Sequence, residues 1–208
     1  MQAASLAPKI PQLQDKVELI VTSPLKRTLQ TTLLGWGPAV KRLGVKNAIC
    51  HPGAQECNDL PCDTGVSREE LEQISEFAGF NFDKLTPDWT SKQDFYAADR
   101  EAIANRAKSV RHFLRDQSEQ HIVLVAHGDF LRQITCDAEA PSPYMWKNAE
   151  VRVFKFNPET VDKDSCLLQF VEPVQGAEGY GWSDKELPDD EDTIEINGDG
   201  SAEANGKL

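Results

Sequence analysis

With 208 residues, 39% of them hydrophobic, and a formal net charge of -12, the chain is long enough for one domain with a sizeable core. It is also too acidic to follow a phosphate backbone, which needs clustered lysine and arginine, so nucleic acid is excluded as a partner. No apolar run is long enough to span a bilayer, no basic region with an apolar core opens the chain, and Cys50, Cys57, Cys62, Cys136 and Cys166 fall at no zinc-ligand spacing, so a cytoplasmic protein with reduced thiols and no membrane or metal partner is expected.

In chain order, residues 2–13 read as the tail of a helix interrupted by two prolines. Val17-Glu-Leu-Ile-Val21 is a β-branched run of strand length, and Thr22-Ser-Pro turns it into a helix with Pro24 near its first position. From Lys26 to Leu43 the apolar residues Leu29, Leu33, Trp36, Val40 and Leu43 recur at helical spacing, with Gly35, Gly37 and Pro38 placed to kink or split the element. A short strand is expected over 47–51, then a loop of active-site size through Gly65. Ser67-Arg-Glu-Glu70 is a capping box that predicts a helix through Leu71, Ile74 and Phe77, ended by Gly79.

A long amphipathic helix is expected at about 98–117, with Ile103, Ala107, Val110 and Leu114 on one face. A strand over 122–126 follows, then a helix through Phe130 and Leu131, a loop with Pro141 and Pro143, and two strands over 150–156 and 166–171. Strands alternating with helices before a closing strand pair predict a three-layer α/β sandwich with a mostly parallel central sheet. From Glu178 onward there are ten acidic residues against two lysines, which sets the domain at 1–177 and an acidic tail at 178–208, disordered from about residue 183.

Two strand ends carry the chemistry. Ile122-Val-Leu-Val-Ala-His127-Gly-Asp-Phe-Leu-Arg132 is an apolar strand that stops at His-Gly and continues as a helix, an arrangement suited to holding a phosphate. Val21-Thr-Ser-Pro-Leu-Lys-Arg27-Thr-Leu-Gln-Thr31 repeats the pattern with an arginine in the first helical turn. Glu56 lies in the intervening loop, with Asp59 and Asp63 near enough to take its place. His51 and His121 read as surface residues, and Arg111-His112 lies inside the amphipathic helix.

Ser23-Pro-Leu-Lys-Arg27-Thr-Leu-Gln30-Thr31 and His127-Gly-Asp-Phe-Leu-Arg132 resemble two motifs of the histidine phosphatase superfamily, the phosphoglycerate-mutase-like proteins. The resemblance implies that Arg27 binds phosphate, that His127 is the supporting histidine beside the Gly128 amide, and that Glu56 protonates the leaving oxygen, with Asn148 as a further pocket residue. It implies a small phosphorylated substrate, a phosphohistidine intermediate and no cofactor. Asp129 replaces the second glycine of the usual His-Gly-Gly, adding negative charge beside the phosphate.

The superfamily's nucleophilic histidine lies in an Arg-His-Gly motif on a first strand, and no Arg-His-Gly occurs in these 208 residues. The pattern is therefore expected to be truncated at the N-terminus, with the first strand missing and its neighbours' edges exposed. Three readings stay open: a phosphomonoesterase whose hydrolase activity needs that motif, a non-catalytic phosphoester-binding pseudo-enzyme, and a phosphoglycerate mutase.

Overall fold

A computed structural model describes residues 2–137 and 140–181. At its centre is a three-stranded parallel sheet in the order β2-β1-β3, formed by β1 (Leu19–Thr22), β2 (Ile49–Cys50) and β3 (Ile122–Val125). The register aligns the carboxyl ends, since Thr22 pairs with Cys50 on one side and with Val125 on the other. The three loops that leave those ends, beginning at Ser23, His51 and Ala126, therefore emerge side by side.

Alternation along β1 sends its side chains to two cores. Ile20 packs with Leu25, which precedes α2 (Lys26–Gly35), and with Leu29, Trp36, Ala39 and Val40 of α2, α3 (Gly37–Leu43) and the turn between them. Leu19 and Val21 face Ile103, Ala107, Val110 and Leu114 of α5 (Arg100–Arg115) and Phe130 and Ile134 of α6 (Gly128–Ile134). Helices thus cover both faces, the condition that lets a parallel sheet be apolar throughout. The expected three layers and the expected split at Gly35-Trp-Gly-Pro38 are both present.

Other elements depart from the pattern. Residues 2–9 form two 3-10 turns, Gln2–Ser5 and Ala7–Lys9, and the α-helix α1 begins only at the second proline, spanning Pro11–Lys16. The Ser67 hydroxyl caps α4 by accepting the Glu70 N–H at 3.2 Å, but α4 spans only Arg68–Gln73. Phe77, Phe80 and Phe82 then enter the core from non-helical backbone, because a hydrophobic cluster fixes them there more strongly than helix periodicity does.

The closing pair, β4 (Asn148–Phe156) and β5 (Leu168–Tyr180), is an antiparallel ribbon hydrogen-bonded to no other strand among the described residues. β5 runs past the boundary expected at residue 178. The acidic segment from 182 lies outside the described residues. β3 likewise pairs only with β1 among the described residues, and its other edge faces β4 across a cleft of about 790 Å3 lined by Val123 to Ala126 on one side and Asn148 to Val151 on the other.

Candidate active site

The carboxyl end of the sheet opens onto this cleft, where open α/β sheets receive ligands. Arg27, Glu56, His127, Gly128 and Asn148, drawn from the loops and helices that follow β1, β2 and β3 and from the start of β4, all line it. Glu56 reaches it because the loop after β2 is threaded by two 3-10 turns, Pro52–Ala54 and Pro61–Asp63.

Arg27 and His127 form the hinge of the site. The Arg27 Nε–H donates to His127 Nδ1 at 3.2 Å, Nη1 donates to the Cys62 carbonyl at 2.6 Å, and Nη2 donates to Asp63 Oδ1 at 2.7 Å. An arginine Nε can only donate, so Nδ1 must be the acceptor and the ring proton sits on Nε2. That Nε2–H meets the Ser23 hydroxyl at 2.8 Å. Ser23 is itself fully buried, and its carbonyl accepts from the Thr28 hydroxyl, tying the turn into α2 to the end of β3.

His127 is therefore a neutral imidazole. Burial is the main cause, and the positive charges of Arg27, Lys92 and Arg106 push in the same direction, holding its pKa well below the ordinary histidine value. Three of the five Arg27 N–H groups are engaged, which leaves two without a protein acceptor on a side chain that is 44% exposed.

Glu56 is tied to the same turn. Its Oε1 accepts the Cys57 N–H at 2.9 Å and the Phe130 N–H at 3.3 Å, the latter from the first turn of α6. Burial pushes its carboxyl above the usual glutamate range; Asp129 and Asp63 add to the rise, while the Cys57 N–H and Arg27 oppose it. Of the two carboxylates that could replace it, Asp63 is buried on Arg27, and Asp59 is exposed and does not line the cleft.

Gly128 opens α6 and is exposed, and a Cβ placed there would come no nearer than 3.9 Å to Trp146, so the backbone tolerates a side chain at this position. Asp129 lines the cleft, pairs with Arg132 at 3.5 Å and acts on Glu56 through its charge. Asn148 is exposed where β4 begins, paired across the ribbon with Tyr180. Trp146 lines the cleft with a buried indole N–H that has no hydrogen-bond partner.

The remaining histidines lie elsewhere. His112 sits on α5 with Nε2 at 2.8 Å from the Asp164 carbonyl, and His121 is exposed beside Glu18. His51 corrects the expectation of a surface residue: its Nδ1 accepts the Gly53 N–H at 3.1 Å, and its ring lies 4.7 Å from that of Phe113. Sequence reasoning also passed over Arg106, whose signal was an arginine three residues after Ile103 and four before Val110, inside the apolar stripe of α5.

Residues 1–167 match the histidine phosphatase superfamily (branch 1). The chain belongs to that superfamily. A probable phosphatase of Schizosaccharomyces pombe (strain 972 / ATCC 24843) is 27% identical over 118 residues, covering 56% of this chain and 53% of the yeast protein. The chain thus spans about half the length of the curated relative it matches. For a histidine phosphatase domain the parallel sheet, the helices on both faces and a site at the strand ends are the fitting architecture.

Proposed function

We propose that this histidine phosphatase domain binds the phosphoryl group of a small phosphorylated substrate between Arg27, His127 and the Gly128 amide, with Glu56 placed as the acid for the leaving oxygen. The observation that carries the reading is the Arg27–His127 hydrogen bond at 3.2 Å at the carboxyl ends of adjacent parallel strands. Two free guanidinium N–H groups suit a pair of phosphoryl oxygens, because the planar fork matches their geometry. A dianion arriving beside His127 favours the imidazolium, offsetting the burial that keeps the ring neutral. It also raises the Glu56 carboxyl further, toward the protonated form an acid requires.

Phosphoryl transfer further needs an in-line nucleophile. Among the described residues His127 is the only histidine lining the cleft, and both its ring nitrogens are already hydrogen-bonded. That supports the non-catalytic reading for these 208 residues: a phosphoester-binding site carrying the cation and the acid of a phosphomonoesterase. Titration of the full chain with orthovanadate, by calorimetry, tests it. Saturable binding with negligible hydrolysis of p-nitrophenyl phosphate is expected. Turnover abolished by His127→Ala would make the chain an enzyme as it stands, and an absence of binding would remove the site.

A further inference from the structure

Glu56 sits on a loop, and a loop carboxyl is useful as an acid only if its backbone is fixed. The residues beneath that loop are unusual. Arg106 projects from the apolar stripe of α5 and is fully buried, yet it makes no ion pair among the described residues. Its Nη1 donates to the carbonyls of Gly53 at 3.2 Å and Gln55 at 2.9 Å, and its Nη2 donates to the carbonyl of Glu56 at 3.2 Å. The guanidinium lies 5.2 Å from the centre of the Phe130 ring, and its Nε–H has no partner. A buried cation without a carboxylate, and with one donor unmet, is a costly way to hold a core together, since apolar side chains of similar size fill such positions at least as well.

Lys92 approaches the same loop from another direction. Its Nζ donates to the Asn58 carbonyl at 2.7 Å and to the Glu56 carbonyl at 3.4 Å. Its backbone is at φ 54°, in the left-handed region that side chains other than glycine rarely adopt. Two cations from separate segments therefore meet on the Glu56 carbonyl, and between them hold four carbonyls of the stretch from Gly53 to Asn58. The Phe130 ring beneath the Arg106 guanidinium belongs to the residue whose N–H binds the Glu56 carboxylate, so the clamp supports both the acid and its donor.

We infer that Arg106 and Lys92 are positioning residues for Glu56, fixing the backbone of the loop so that its carboxyl stays against the first turn of α6 instead of turning out to solvent. The inference rests on the proposed role of Glu56. Neither residue lines the cleft, so neither touches the substrate itself.

The experiment follows the Glu56 side-chain carboxyl by carbon-detected NMR titration in the full chain, assigned with Glu56→Gln, together with hydrogen exchange of the Phe130 amide and orthovanadate affinity. Arg106→Met is expected to speed Phe130 exchange by at least tenfold and, as the carboxyl turns out to solvent, to return the Glu56 titration toward the ordinary glutamate value; a carboxyl left in place beside the lost cation would instead titrate higher, and that rise would also overturn the inference. Orthovanadate affinity, held by Arg27, should change by less than about threefold. Arg106→Lys restores part of both effects, because a compact cation reaches fewer of the three carbonyls. Should Arg106→Met not fold, Lys92→Met, at a half-buried site with two contacts, is expected to move both readouts in the same direction by a smaller amount. A folded Arg106→Met or Lys92→Met with wild-type Glu56 titration and Phe130 exchange would overturn the inference. The reading of the site fails separately, if orthovanadate affinity is indifferent to Arg27→Met.

Discussion

Replacing Arg27 by methionine removes the cation on which the proposed site turns. The side chain makes three hydrogen bonds, to His127, Cys62 and Asp63, and is 44% exposed. Solvent screens much of the Asp63 pairing, so the cost in folding stability is modest, about 1–2 kcal/mol, most of it from leaving the 10% exposed Asp63 carboxylate without its partner. The effect on anion binding is larger. Loss of a bidentate, charge-assisted contact is worth roughly 2–3 kcal/mol, or about 30- to 150-fold in Kd for orthovanadate or inorganic phosphate. His127 reports the change independently, since after burial the Arg27 guanidinium does most to depress its pKa, and its NMR titration must move up toward the ordinary histidine value. Arg27→Lys keeps the charge without the fork, so His127 stays low while affinity falls about tenfold. A folded Arg27→Met that binds orthovanadate within threefold of the parent and leaves His127 unmoved would refute the reasoning.

Three further outcomes follow from the structure. Gly65→Ala places a Cβ 1.9 Å from Trp89 Cη2, and Trp89 is 1% exposed, so overpacking should cost about 3 kcal/mol in urea unfolding, against almost nothing for Gly37→Ala, which meets no atom within 4 Å. Burial, with the Lys84 charge, pushes His51 down to about 4 from its ordinary 6.5. The unfolded chain then binds the proton first, so His51 contributes about 3 kcal/mol that is fully present above pH 6.5 and lost as pH falls toward 4; His51→Gln should flatten the acid limb of the stability curve. Glu56 has the opposite sign for a carboxyl, because burial raises it: the folded state holds its proton longer, and ionisation costs stability as pH rises through the folded pKa. Glu56→Gln should therefore stabilise the protein at pH 7 and make little difference at pH 3, as thermal melts at the two values would reveal.

The parallel sheet and the two strand-to-helix turns that begin at Ser23 and His127 were legible because local signals and tertiary demands agree there. A β-branched run buried on two faces has one good solution, and a strand that ends in His-Gly leaves its amides at a helix start. The helix expected through Phe77 failed where the two conflict, since three phenylalanines gain more from the core than from a further helical turn. The protonation state of His127 was hidden for a similar reason: it depends on Ser23 and Arg27, residues 104 and 100 positions away along the chain. Arg106 left a trace in the stripe of α5, but nothing in sequence says which carbonyls a buried arginine will bind.

Whether Arg27 and His127 jointly hold a phosphoryl group is tested most directly by a crystal structure of the full chain grown with orthovanadate. The anion is expected within hydrogen-bond distance of an Arg27 Nη and the Gly128 N–H, with His127 turned to contact it and Glu56 still bound to the Phe130 N–H. An anion bound only at surface lysines, with the Arg27–His127–Ser23 chain of hydrogen bonds unchanged at saturating orthovanadate, would contradict that expectation.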